Sequence, residues 1–134
     1  MKFSKPKIRR YEEMVMKETT TTFRVEGKKV VVRVTRITFN DCPKQESLVD
    51  FWTAKDDKNF RANWKKPHVA FREITRKIME IYKMLADEGS ICVISSASPE
   101  RQRMYEILLK RKGVPYRLGD YEEDFGTNFL VFNE

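Results

Sequence analysis

Along residues 19–39, TTTTFRVEGKKVVVRVTRITF, apolar and polar side chains alternate, and Thr, Val and Phe dominate. A period of two in β-branched and aromatic residues predicts strands. Gly27-Lys28 is the expected turn of a hairpin. The second strand, Lys29 to Phe39, puts Val30, Val32 and Val34 on one face. Ile37 and Phe39 fall on the other, so the apolar face switches near Arg36. A bulge, or a strand leaving the core, would cause that switch. After the loop NDCPKQ, SLVDFWTA reads as the next strand.

The period then changes. In PHVAFREITRKIMEIYKMLADEG, Phe71, Ile74, Ile78, Ile81, Tyr82 and Leu85 recur at spacings that place them on one helical face. Pro67 suits the first turn, and Gly89 suits the position after the last. SICVISSA is apolar on both faces, as a buried central strand should be. SPERQRMYEILLKRKG is a second helix, with Ser98 as its N-cap, Pro99 in its first turn and Gly113 as its stop. Lys110, Arg111 and Lys112 lie in its last turn, where cations suit the helix dipole. VPYRLGDY and TNFLVFN read as two closing strands around EEDFG.

The expected order is β-β-β-α-β-α-β-β in a single α+β domain over residues 19–134. Two helices pack on a mostly antiparallel sheet. The crossover from SLVDFWTA to SICVISSA should be right-handed and place both strands in one sheet. Residues 1–18 read as a basic N-terminal arm, with Lys2, Lys5, Lys7, Arg9 and Arg10 ahead of Glu12 and Glu13. Pro6 argues against a helix there. YEEMVMKE is compatible with a short helix or an extended segment.

Charge changes this picture. The net charge is +7, and it is unevenly spread: residues 1–116 carry +11 and residues 117–134 carry −4. A basic body favours polyanionic partners. No apolar run approaches the roughly 20 residues of a membrane span. The N-terminus also lacks the apolar stretch of a secretory signal. The reading is a soluble, cytoplasmic protein without membrane contact. Cys42 and Cys92 make no disulfide framework and match no metal spacing, so two reduced thiols are expected.

The densest constellation runs from Lys55 to Lys77. It holds eight Lys and Arg against three acidic residues, with Phe60, Trp64 and His68 interleaved. Its core, RANWKKPH, sits at the N-terminus of the long helix, where free N–H groups and cations converge on an anion. Arg61, Lys65, Lys66, Arg72 and Arg76 are candidate phosphate contacts. Phe60 and Trp64 are candidate stacking residues, because exposed aromatics stack on unpaired bases. Trp64 has an equal alternative as a staple onto the core. Lys7, Arg9 and Arg10 of the arm, and Arg33 and Arg36 of the sheet, extend the basic surface. The partner expected is RNA or single-stranded DNA. No sequence motif of a known RNA-binding module is present.

Catalysis is weakly signalled. His68 has no serine or cysteine beside it in sequence and suits a capping, stacking or surface role. No His, Cys and Asp cluster suggests a metal. Asp56 and Asp57 read as loop solubilisers, and Glu122 to Asp124 as a hairpin tip. No cofactor is expected. Met104, Tyr105 and Leu108 are spaced to pack on the sheet.

The element order resembles the core of the GCN5-related acetyltransferase (GNAT) fold over roughly residues 19–133. ICVISSASPERQRMYEILLKRKGVPYRL is similar to that family's strand, helix and strand. The resemblance implies a general-acid role for Tyr105 in an acyl-CoA-dependent transferase. The family's loop before the long helix carries an arginine or glutamine and close-spaced glycines, whose N–H groups hold the pyrophosphate. Here that stretch is RANWKKPH, without glycine. The resemblance therefore implies a relative that has lost acyl-CoA binding. SASPERQRMYEILLKR is also similar to a pattern in small bacteriophage proteins. The expectation is a non-enzymatic, phage-type accessory protein that binds nucleic acid. The alternatives are a transferase with an unusual cofactor loop, or a protein-interaction factor such as a host-enzyme inhibitor or virion component.

Overall fold

The structure, a computed structural model, describes residues 1–53, 64–95, 99–120 and 128–134. Nine elements follow in order: β1 (Lys7–Arg10), β2 (Met14–Val25), β3 (Lys28–Phe39), β4 (Glu46–Thr53), α1 (Pro67–Asp87), β5 (Ile91–Ser95), α2 (Pro99–Arg111), β6 (Tyr116–Asp120) and β7 (Asn128–Phe132). The seven strands form one sheet in the order β1-β2-β3-β4-β5-β7-β6. All neighbours are antiparallel except β4 and β5. Ser98, expected as the cap of α2, lies outside the described residues, as do Asp56, Asp57 and Glu122 to Asp124.

One strand was not foreseen. Lys7–Arg10 pairs with β2 in the register Lys7↔Glu18 to Arg10↔Val15. YEEMVMKE takes the extended alternative, since β2 begins at Met14. The expected boundary at residue 18 therefore falls inside a strand. Further back, Ser4 N–H donates to the Thr20 carbonyl at 2.8 Å, and Phe3 packs against the core.

The hairpin turn is Glu26-Gly27 rather than Gly27-Lys28. Both residues have positive φ, 51° and 75°, as a two-residue primed turn demands. No bulge interrupts β3. Its register with β2 runs unbroken from Met14↔Phe39 to Val25↔Lys28, and with β4 from Val30↔Thr53 to Ile37↔Glu46. The apolar face changes for the second reason considered. Val30, Val32 and Val34 lie under the helices, whereas Arg36, on that same face, reaches Glu88 just past α1.

Both helices pack on this face. Ile74, Ile78, Ile81, Tyr82 and Leu85 of α1 and Tyr105 and Leu109 of α2 join the strand valines in one core. The helices touch where the Thr75 hydroxyl lies 3.7 Å from Met104 Sδ. The reverse face, with Val31, Arg33 and Ile37, carries no helix among the described residues.

The parallel pair β4–β5 is short. It spans only Glu46↔Ile91 to Leu48↔Val93, and then the strands part. The Tyr82 hydroxyl fills the fork. It accepts the Val49 N–H at 3.1 Å and donates to the Val93 carbonyl at 2.6 Å. A side chain from α1 thus supplies both hydrogen bonds that the diverging ladder drops, as buried backbone groups require.

Candidate nucleic-acid interface and the strand fork

The chain carries its own anion to the entrance of α1. Glu26, on the β2–β3 turn, accepts the N–H groups of Lys65 and Lys66 at 3.0 and 2.9 Å, one on each carboxylate oxygen. Pro67 opens the helix without an N–H. The first turn of α1 holds no acidic residue, so Glu26 supplies from across the fold the negative charge that a helix N-terminus favours. The expected anion site at RANWKKPH is therefore partly occupied from within.

Trp64 takes the staple role. It is 6% exposed and belongs to the core, and Lys28 Nζ stands 5.0 Å from its ring. A ring so enclosed offers no stacking platform to a base. Lys65 and Lys66 are exposed, as are Arg72 and Arg76 further along α1. None of the four makes an ion pair among the described residues. Phe60 and Arg61 lie outside the described residues. His68 is exposed in the first turn of α1.

The other candidate cations do not join this patch as one surface. Arg33 grips Asp50 with two hydrogen bonds, at 3.0 and 2.6 Å, and its guanidinium lies 5.3 Å from the Trp52 ring centre. Hydrogen bonding to Asp50 raises its pKa further. Arg36 grips Glu88 at 3.3 and 3.2 Å from the helix side of the sheet. Arg33 and Arg36 thus point to opposite faces, each with an acid in hand. The pairing register likewise puts Lys7 and Arg9 on the face of Arg33, and Arg10 on the face of Arg36. All three are exposed on the β1 edge.

The fork leads into a second candidate site. A cleft of about 610 Å³ is lined by Asp50 and Phe51 of β4, Ser95 of β5, and Arg101 and Tyr105 of α2. Arg101 lies over two rings, 5.9 Å from Phe51 and 5.4 Å from Phe71. Tyr105 is 6% exposed, and its hydroxyl has no hydrogen-bond partner among the described residues. Burial pushes its pKa up to about 12, so it holds its proton at neutral pH. Tyr105 therefore packs in the core, as its spacing suggested, while lining a cleft.

Glu26, Tyr82 and Arg101 were not singled out in the sequence. Glu26 looks like an ordinary turn residue, and Tyr82 like one more apolar position on α1. Cys92 is buried, and burial pushes its thiol up to about 12, which leaves it unreactive. Among the described residues no group of three or more His, Cys, Asp or Glu could hold a metal, and no helix is long and apolar enough to cross a membrane. No protein-family model, no curated protein and no solved structure matches this chain.

Proposed function

We propose that this chain is a non-enzymatic accessory protein that binds nucleic acid through the outer surface of the first turns of α1. One observation carries the reading. Lys65, Lys66, Arg72 and Arg76 stand exposed on neighbouring turns, with no ion pair among the described residues, on a chain of net charge +7. Such cations neutralise phosphates without reading sequence. Burial of Trp64 removes one of the two stacking residues, so Phe60 alone carries the preference for single strands. Fluorescence anisotropy of labelled single-stranded RNA, single-stranded DNA and duplex DNA, from about 50 to 200 mM salt, tests it. Binding with a steep negative salt slope supports the reading. No binding at the lowest salt defeats it.

The fork favours a second reading, a small-molecule site. A buried tyrosine whose hydroxyl has no partner among the described residues, lining a cleft where two parallel strands part, is an arrangement that a polar ligand would complete. Acetyl-CoA, which the GNAT resemblance implies, fits these residues poorly. The two amides at the entrance to α1 are engaged by Glu26, and Trp64 stands buried where the family has glycine. Calorimetric titration with acetyl-CoA decides this point. Saturable binding weakened by Tyr105→Phe restores the transferase alternative, and its absence removes it.

A further inference from the structure

A further cavity lies beyond Tyr82 from the fork. It opens between the second halves of α1 and α2 and the β6–β7 ladder, with a volume of about 910 Å³. That is near the upper end of ordinary ligand pockets. Its floor is apolar and closed: Met79, Leu109 and Phe132 are 4%, 0% and 5% exposed. Val114 and Ala86 extend the apolar wall.

The mouth is polar and mainly cationic. Lys83 from α1 and Lys112 just past α2 both reach it, both are exposed, and neither makes an ion pair among the described residues. Two carboxylates also stand there, Asp87 and Glu134. Glu134 is already held by Arg117 through two hydrogen bonds. Among the described residues, Asp87 is then the one lining carboxylate without an ion pair, beside two lysines without one. An apolar floor under a rim of net positive charge selects an amphiphile with an apolar body and one anionic head.

We infer that this cavity binds a small monoanionic amphiphile, of which a medium-chain carboxylate is the simplest member. Its chain lies over Met79, Leu109 and Phe132, and its carboxylate lies between Lys83 and Lys112. The site is separate from the outer surface of α1 proposed for nucleic acid, so either proposal can fail alone.

The test is calorimetric titration of the whole chain with decanoate, decanol and acetate, each below its aggregation threshold. Decanoate should bind saturably, and acetate, which has the head without the body, should not. The double variant Lys83→Glu, Lys112→Glu should weaken decanoate by about tenfold or more and leave decanol within about twofold. Both substitutions are on exposed residues, so the fold should tolerate them. Ala86→Phe, which fills the cavity from its wall, should abolish binding of both ligands. Absence of saturable decanoate binding overturns the proposal. So does decanoate binding that the lysine double variant or Ala86→Phe leaves unchanged.

Discussion

The carboxylate of Glu26 bridges the backbone N–H groups of Lys65 and Lys66, 39 and 40 residues away along the chain. It ties the tip of the first long hairpin to the entrance of α1. Its own backbone is in the left-handed region at φ 51°, which a non-glycine residue adopts at some cost. Glu26→Ala removes the tie and keeps the backbone cost. By analogy with loss of a helix cap, it should lower stability by about 0.5–2 kcal/mol. Urea unfolding with an unchanged m-value checks this. Stability equal to the parent would mean that water serves the two amides as well as Glu26 does.

Tyr82 and Tyr105 make a matched pair for a second test. Both are buried in one core, but only the Tyr82 hydroxyl has partners among the described residues. Tyr82→Phe leaves the Val49 N–H and the Val93 carbonyl without a bond at the fork. The expected loss is about 1–3 kcal/mol. Tyr105→Phe removes a buried hydroxyl that satisfies nothing described, and should be neutral or slightly stabilising. Chemical unfolding of both variants tells them apart. Equal losses would show that the Tyr82 bridge does not brace the fork.

Alkaline pH should act through the same two residues. Burial raises the pKa of Tyr105 to about 12 and that of Tyr82 well above its usual value. An unfolded tyrosine ionises near about pH 10. The folded state therefore holds these protons more tightly than the unfolded state does. That contribution to stability is complete below about pH 10 and falls away as pH rises from there toward the folded values. Urea midpoints measured from about pH 8 to 11.5 should drop above about pH 10. Tyr105→Phe should make that drop shallower. An unchanged slope would show that Tyr105 ionises in the folded state as easily as in the unfolded one.

The helices and most strands were legible because their periods are set by burial on one face. The α1 positions from Ile74 to Leu85, and the alternation of Val30, Val32 and Val34, are patterns that only a helix and a strand can bury. β1 was not legible. Four exposed residues, KIRR, carry no alternation to read, and their strand exists only through pairing with β2. The site was legible in composition but not in geometry. Arg33, Arg36, Lys65 and Arg72 look alike in sequence. What separates them is whether an acid reaches the side-chain charge itself, and the arrivals are distant: Glu88 meets Arg36 across 52 residues, whereas Glu26 takes only the backbone N–H of Lys65. Trp64 illustrates the same point. Its neighbours in sequence are basic and polar, while its neighbours in space are the core.

That separation gives the last prediction. If phosphates meet α1, the cations that matter are those without an acid partner. Changing Lys65, Lys66, Arg72 and Arg76 to Ala should flatten the salt dependence of nucleic-acid binding. The slope should fall by about 0.7 per lost contact on single strands, and about 0.9 on duplex. Arg33→Ala and Arg36→Ala should change it little, because Asp50 and Glu88 already balance those charges. Trp64→Ala, which empties a core position, should instead destabilise the fold by about 3–5 kcal/mol. Anisotropy at several salt concentrations, with thermal melts of each variant, separates these outcomes. Binding that persists with the parent slope in the fourfold variant would move the contact away from α1. Lys7, Arg9 and Arg10 on the β1 edge, exposed and without ion pairs among the described residues, would then be the next cations to change.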